Sequence, residues 1–158
     1  MSTRSQKKRS TRKSPATTPG VPGAQAERLA RALQALTKGL PNPWDESTDF
    51  FHHFTAVMPA KTKLDAEAFR AALGVGARYE IDLSPADKIL AKLGSDEAAR
   101  GKDVAGGFRQ LRTVMRATLK DPQLAFARGK GVVRARVWLF GRTHDGTLVG
   151  LRSESTET

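Results

Sequence analysis

Four basic side chains stand in a pattern that could do chemistry. Arg109, Arg112 and Arg116 recur at i, i+3 and i+7, so a helix would carry them on one stripe, and Lys120 extends it. From Arg100 to Arg142 the chain holds eleven basic residues and two acids, Asp103 and Asp121. One reading is a phosphate-contacting face, in which each cation displaces counterions from a nucleic acid. The other is an ordinary solvated helix face. A second constellation closes the chain. "VWLFGRTHDGTLVGLRSESTET" alternates, turns on Asp145-Gly146 and alternates again up to Thr158. The backbone carboxylate of Thr158 and the side chain of Glu157 would then place two negative groups together at the end of a stiff strand, shaped like a probe.

Other candidates are weaker. His52-His53 suggests a metal site, but adjacent residues on a strand point to opposite faces and on a helix diverge by about 100°, and no further ligand spacing supports them. "ARGKGVVR" is glycine-rich and basic, yet it lacks the Lys-Ser/Thr ending of a phosphate loop and no helix follows it. No Ser-His-Asp or paired-carboxylate signature is legible, so an enzyme is the least favoured class.

The elements that must position these groups follow from periodicity. In "AQAERLARALQALTKGL", Leu29, Leu33, Leu36 and Leu40 recur at helical spacing. "DFFHHFTAV" is short, aromatic and β-branched, and predicts a strand. "TKLDAEAFRAALG" predicts a helix with a capping arrangement between Thr62 and Asp65 and a stop at Gly74. "RYEIDL" alternates as a strand. "SPADKILAKLG" predicts a helix capped by Ser84, with Pro85 in its first turn and Gly94 at its end. The glycines of "GSDEAARGKDVAGG" predict a mobile connection. "DVAGGFRQLRTVMRATLK" is the strongest helix, with Val104, Phe108, Leu111, Met115 and Leu119 on one stripe. Its Gly106-Gly107 pair marks a frayed first turn or a close approach. "DPQ" should break that helix. "LAFARGKGVVRARVWLFGRT" predicts one long strand interrupted by glycines, and Asp145-Gly146 predicts a type I′ hairpin turn. Helices interspersed with strands make an α+β fold, an α/β/α sandwich with a mostly antiparallel sheet and a C-terminal β-hairpin, the natural architecture.

The 158 residues suffice for one domain and a tail. The formal charge is +11, and residues 1–23 hold six basic residues and no acid. That segment cannot bury enough apolar surface to offset chain entropy and is expected to be a disordered basic tail ahead of a domain over 24–158. It serves either as a polyanion attractant or as a solubilising extension. With no cysteine there is no disulfide framework or thiolate metal site. No apolar run approaches the roughly 20 residues of a membrane span, and no secretory signal is visible. A cytoplasmic protein with no membrane partner is the expectation.

The C-terminal half resembles the nuclease A inhibitor family. The likeness is carried by "LKDPQ", a β-rich stretch, "VWLFGRTHDGTLVGL" with Gly141, Thr143, Gly146 and Gly150 in register, and the terminal "ET". Upstream, "DESTDFFHHF" is similar to the family's acidic-serine segment leading into an aromatic strand, and "EID" at 80–82 falls into place. The likeness runs from about Ala24 to Thr158. It implies an α/β/α sandwich that blocks a sugar-non-specific, magnesium-dependent endonuclease acting on DNA and RNA. The family pushes its C-terminal threonine toward the catalytic metal of that nuclease, and a glutamate of the acidic-serine loop engages the same site. Here those positions are Thr158 and Glu46, with Glu157 beside them. The resemblance implies no cofactor or metal of the protein's own. The alternative is a nucleic-acid-binding protein that uses the Arg109, Arg112, Arg116 and Lys120 face together with the basic tail.

Overall fold

A computed structural model describes residues 23–41, 43, 51–131 and 134–156. In chain order its elements are α1 (Ala24–Leu36), β1 (His52–Ala56), α2 (Ala66–Leu73), β2 (Tyr79–Pro85), α3 (Asp87–Ser95), α4 (Glu97–Arg100), α5 (Lys102–Thr118), β3 (Lys120–Gly129), β4 (Arg134–Arg142) and β5 (Leu148–Thr156). The five strands form one antiparallel sheet in the order β1-β5-β4-β3-β2.

Alternation along the strands sends two apolar sets to opposite faces. Leu124, Val137, Leu139, Val149 and Leu151 face a core shared with Leu33 of α1, Leu90 and Leu93 of α3, and Phe108, Leu111 and Met115 of α5. Ala125, Ala127, Trp138, Phe140 and Leu148 face the other way, against Phe69 of α2 and Met58. Phe69 meets Trp138 edge-on, with ring centroids 5.1 Å apart and planes at 78°. Such a contact adds about 0.5–1.5 kcal/mol to the burial itself. Apolar layers on both faces of the sheet make this the expected α+β, α/β/α sandwich.

The stripe on α5 is buried as its spacing requires: Phe108, Leu111 and Met115 are fully enclosed. Close packing accounts for Gly107. A Cβ there would stand 2.7 Å from Cδ2 of Leu40, so the glycine admits the leucine that follows α1. Helix α1 is also tied to β1 by polar contacts. The Thr55 hydroxyl donates to Glu27 Oε1 at 2.8 Å, and Gln34 Oε1 accepts from the His53 backbone N–H at 3.2 Å and bonds the His53 ring.

Several local expectations are corrected. The cap of α2 is Asp65 itself, whose Oδ1 accepts from the Ala68 N–H at 2.8 Å. Ser84 and Pro85 do not open α3. They extend β2, paired with Leu124 and Gln123, because the β2–β3 ladder wins over the local capping signal. The glycine-rich connection contains the short helix α4, and α5 begins at Lys102. The helix ends at Thr118, ahead of Asp121-Pro122-Gln123, which belongs to β3 at an irregularity where Asp121 takes φ 52°. The single long strand is two, β3 and β4, paired antiparallel.

The last turn is not type I′. Gly146 has φ 95°, whereas Asp145 is not among the residues with positive φ. The Gly146 N–H donates to the Thr143 carbonyl at 3.0 Å, so His144 and Asp145 are the central residues. Asp145 Oδ1 accepts from the Thr147 N–H at 3.1 Å and from the Thr143 hydroxyl. These bonds, the Thr143 one foremost, hold the Asp145 carboxyl below its usual range.

Candidate functional site

The sheet order places β5 between β1 and β4, so the last strand of the chain is an interior strand. Its register fixes what lies at each end. His52 opposes Arg152, and Ala56 opposes Leu148. The chain therefore enters β1 and leaves β5 at the same end of the sheet. Pairing of β5 with β1 stops at Arg152, but pairing with β4 continues through Arg136–Glu154 and Ala135–Ser155 to Arg134–Thr156. The strand is held straight by β4 past its last β1 partner. At its other end the strand is anchored by the turn. Arg142 Nη1 donates to the Thr62 carbonyl at 2.6 Å and Nη2 to the Pro59 carbonyl at 2.8 Å, so the β4–β5 turn is clamped to the loop that follows β1.

Glu46, Glu157 and Thr158 lie outside the described residues. What is described is their attachment: Phe51, buried at the entry to β1, and Thr156, at the end of β5.

The arginines of α5 are placed differently from a bare cationic stripe. Arg112 grips Asp87 of α3 with two bonds, Nε to Oδ1 at 2.9 Å and Nη2 to Oδ2 at 3.0 Å. Arg116 approaches the same Oδ1 at 3.7 Å. Arg109 donates to the Gly94 carbonyl and to Glu97 Oε2, the latter at 3.1 Å. The hydrogen bond from Arg112 is the main reason the Asp87 carboxyl is held below its usual range. Three cations thus face two carboxylates across the helix seam. Lys120 is exposed at the start of β3, beyond the end of α5.

The two histidines part as strand geometry requires. His52 is exposed, while the His53 ring bonds Gln34. Among the described residues, no group of three or more His, Asp or Glu is placed to hold a metal ion. None of the described helices is long and apolar enough to cross a membrane.

Sequence reasoning passed over one cluster. Arg152, Arg136, Tyr79 and Arg78 come from three separate strands or their approaches and share the sheet end described above. The only local sign was the alternation of "RVW", which puts Arg136 and Trp138 on one face.

The chain is thus a layered α+β domain whose last strand is interior to the sheet and pairs with β4 beyond the end of its pairing with β1. The sequence profile of the nuclease A inhibitor-like protein family matches residues 27–158. The chain belongs to that family. No curated protein matches it.

Proposed function

We propose that this protein inhibits a sugar-non-specific, magnesium-dependent nuclease by occluding its active site with the end of β5, without catalysing a reaction itself. The observation that carries the reading is the register of β1 on β5. His52 opposite Arg152 brings the segment with Glu46 and the segment with Glu157 and Thr158 out of adjacent strands at one end of the sheet. Pairing with β4 as far as Thr156 fixes the strand from which the second segment leaves, and a preorganised group loses less entropy on binding. Magnesium takes hard oxygen ligands and normally holds substrate phosphate. The Thr158 carboxylate, beside Glu157 and with Glu46 as a second contact, takes the place of that phosphate.

The experiment is digestion of plasmid DNA by a nuclease of this class against inhibitor concentration. Deleting Glu157 and Thr158 should abolish inhibition while leaving the thermal melt nearly unchanged. Adding one glycine after Thr158 should weaken inhibition by displacing the carboxylate. Glu46→Gln should weaken it less. Equal inhibition by parent, deletion and extension would sink the mechanism. The α5 stripe is not favoured as a second reading, because Arg109 and Arg112 already bind carboxylates within the fold.

A further inference from the structure

We propose that the open half of the α2-side sheet face, built on Arg152, Arg136, Tyr79 and Arg78, binds single-stranded nucleic acid. The proposal does not require the inhibitor reading, although the surface lies at the same end of the sheet, and it is distinct from the α5 stripe.

Helix α2 covers only part of this face. Phe69 sits on Trp138 and Phe140, and the rows toward the β1-entry end carry exposed side chains. Arg152, Arg136 and Arg78 are exposed there, and Tyr79 is half-buried. The ladder sets them on a diagonal. Arg152 pairs with Trp138, one step along the same face from Arg136. Arg136 pairs with Ala127, and Tyr79 with Gly129. Because β3 presents alanine and glycine at these rows, Arg136 reaches across it to β2. Its guanidinium carbon lies 5.5 Å from the centroid of the Tyr79 ring, and that of Arg78 lies 5.3 Å from the same ring. Both distances are within the range of a cation–π contact.

Charge separates this surface from the arginines of α5 and from Arg128. Those on α5, and Arg128 on the opposite face, have carboxylate partners. Among the described residues, Arg78, Arg136 and Arg152 have none within 4 Å. Glu154 stands opposite Arg136 on the neighbouring strand and tempers the row without cancelling it. A run of guanidiniums with no carboxylate partner among the described residues draws phosphates by counterion release. Guanidinium planes held against an aromatic ring offer flat faces on which unpaired bases stack. An acidic protein would satisfy the charge but not the stacked ring. A duplex would satisfy the charge but hides its bases.

The test is fluorescence anisotropy of a labelled 20-nucleotide single strand with the full chain, across a salt series. The parent should bind, and bind the single strand more tightly than a duplex of equal length. The Arg136→Ala, Arg152→Ala double variant should lose about tenfold in affinity and flatten the salt slope by about 1.4, about 0.7 per lost phosphate contact. Tyr79→Ala should lose about fivefold with the slope unchanged, since stacking carries no counterions. The Arg112→Ala, Arg116→Ala variant should stay within about twofold of the parent. Should the first double variant melt early, the Arg136→Lys, Arg152→Lys chain decides: it should keep the slope and lose affinity. No binding by the parent, an unchanged first variant, equal loss in the α5 variant, or displacement of the strand by polyglutamate at equal charge would each overturn the proposal.

Discussion

Arg112 on α5 and Asp87, the first residue of α3, close on each other as a two-pronged pair across the helix seam, at 2.9 and 3.0 Å. The pair does two things. It joins the helices that bury Leu90, Phe108 and Leu111, and it places a carboxylate at the positive end of α3. The same pairing takes Arg112 away from any outside anion.

The Asp87 carboxyl is held below its ordinary range in the folded chain, foremost by the Arg112 hydrogen bond. A carboxyl depressed on folding contributes stability that is complete above its unfolded value, near 4, and is lost as pH falls through the folded value. Asp145, depressed by Thr143 and Thr147, acts with the same sign in the same acid window. Melting temperature should therefore fall with acid below about pH 4. Asp87→Asn should lower the melt at neutral pH and make the acid limb shallower. Thermal melts of parent and variant between pH 2 and 7 measure both, and parallel curves would show that Asp87 is not linked to folding.

Arg142 is expected to matter through the carbonyls it binds. It reaches Thr62 and Pro59 from the end of β4, and no carboxylate substitutes for them. Arg142→Ala should cost about 1.5–3 kcal/mol, the range for hydrogen bonds to a charged group. Arg142→Lys should recover little, because an ammonium cannot span two carbonyls as the planar fork does. Urea unfolding of the three chains gives the order.

Gly146→Ala is expected to be worse than an ordinary glycine change. The residue holds φ 95°, and an added Cβ would lie 2.6 Å from the Ala60 Cα and the Met58 carbonyl oxygen. Neither backbone atom can swing aside. A loss of about 2 kcal/mol or more is expected, combining positive φ with overpacking. A variant within about 0.5 kcal/mol of the parent would show that the loop after β1 yields freely.

A chain beginning at Ala24 should melt within about 2 °C of the full chain, since the described core starts with Ala26 of α1 and residues 1–23 carry no apolar periodicity. A fall of 5 °C or more, on the order of 1 kcal/mol for a domain of this size, would show that the segment packs on the domain.

Much of the architecture was legible because it rests on local periodicity. The α5 stripe, the leucines of α1 and the alternation on either side of Asp145-Gly146 each point to one element and one buried face. What escaped depends on partners distant in sequence. Ser84-Pro85 carries a sound helix-start signal, yet the pairing of Ser84 with Leu124 draws it into the sheet. Arg109 and Arg112 look like a free basic face until Glu97 and Asp87 are brought beside them. Tyr79 and Arg136 meet only because Ala127 and Gly129 lie between them on β3. The strand that carries the candidate probe was visible. Its sharing an exit with the segment that holds Glu46 needed the β1–β5 register.

The position of β5 inside the sheet also sets an order on the birth of the protein. Among the described residues, strand β1 takes its only sheet neighbour from β5, which emerges after α2, β2, α3, α4, α5, β3 and β4 have all been synthesised. Until then β1 has α1 to lean on and a bare hydrogen-bonding edge, with Phe51 and Phe54 close by. Strands β2 to β4 can zip as neighbours, but closure waits for the longest loop in the topology, the slow kind of contact in folding. A half-made chain is thus a sticky one, open to edge-to-edge pairing with its siblings on the same message. Expression yield should respond more to slowed translation ahead of β5 than to changes in the finished protein's stability.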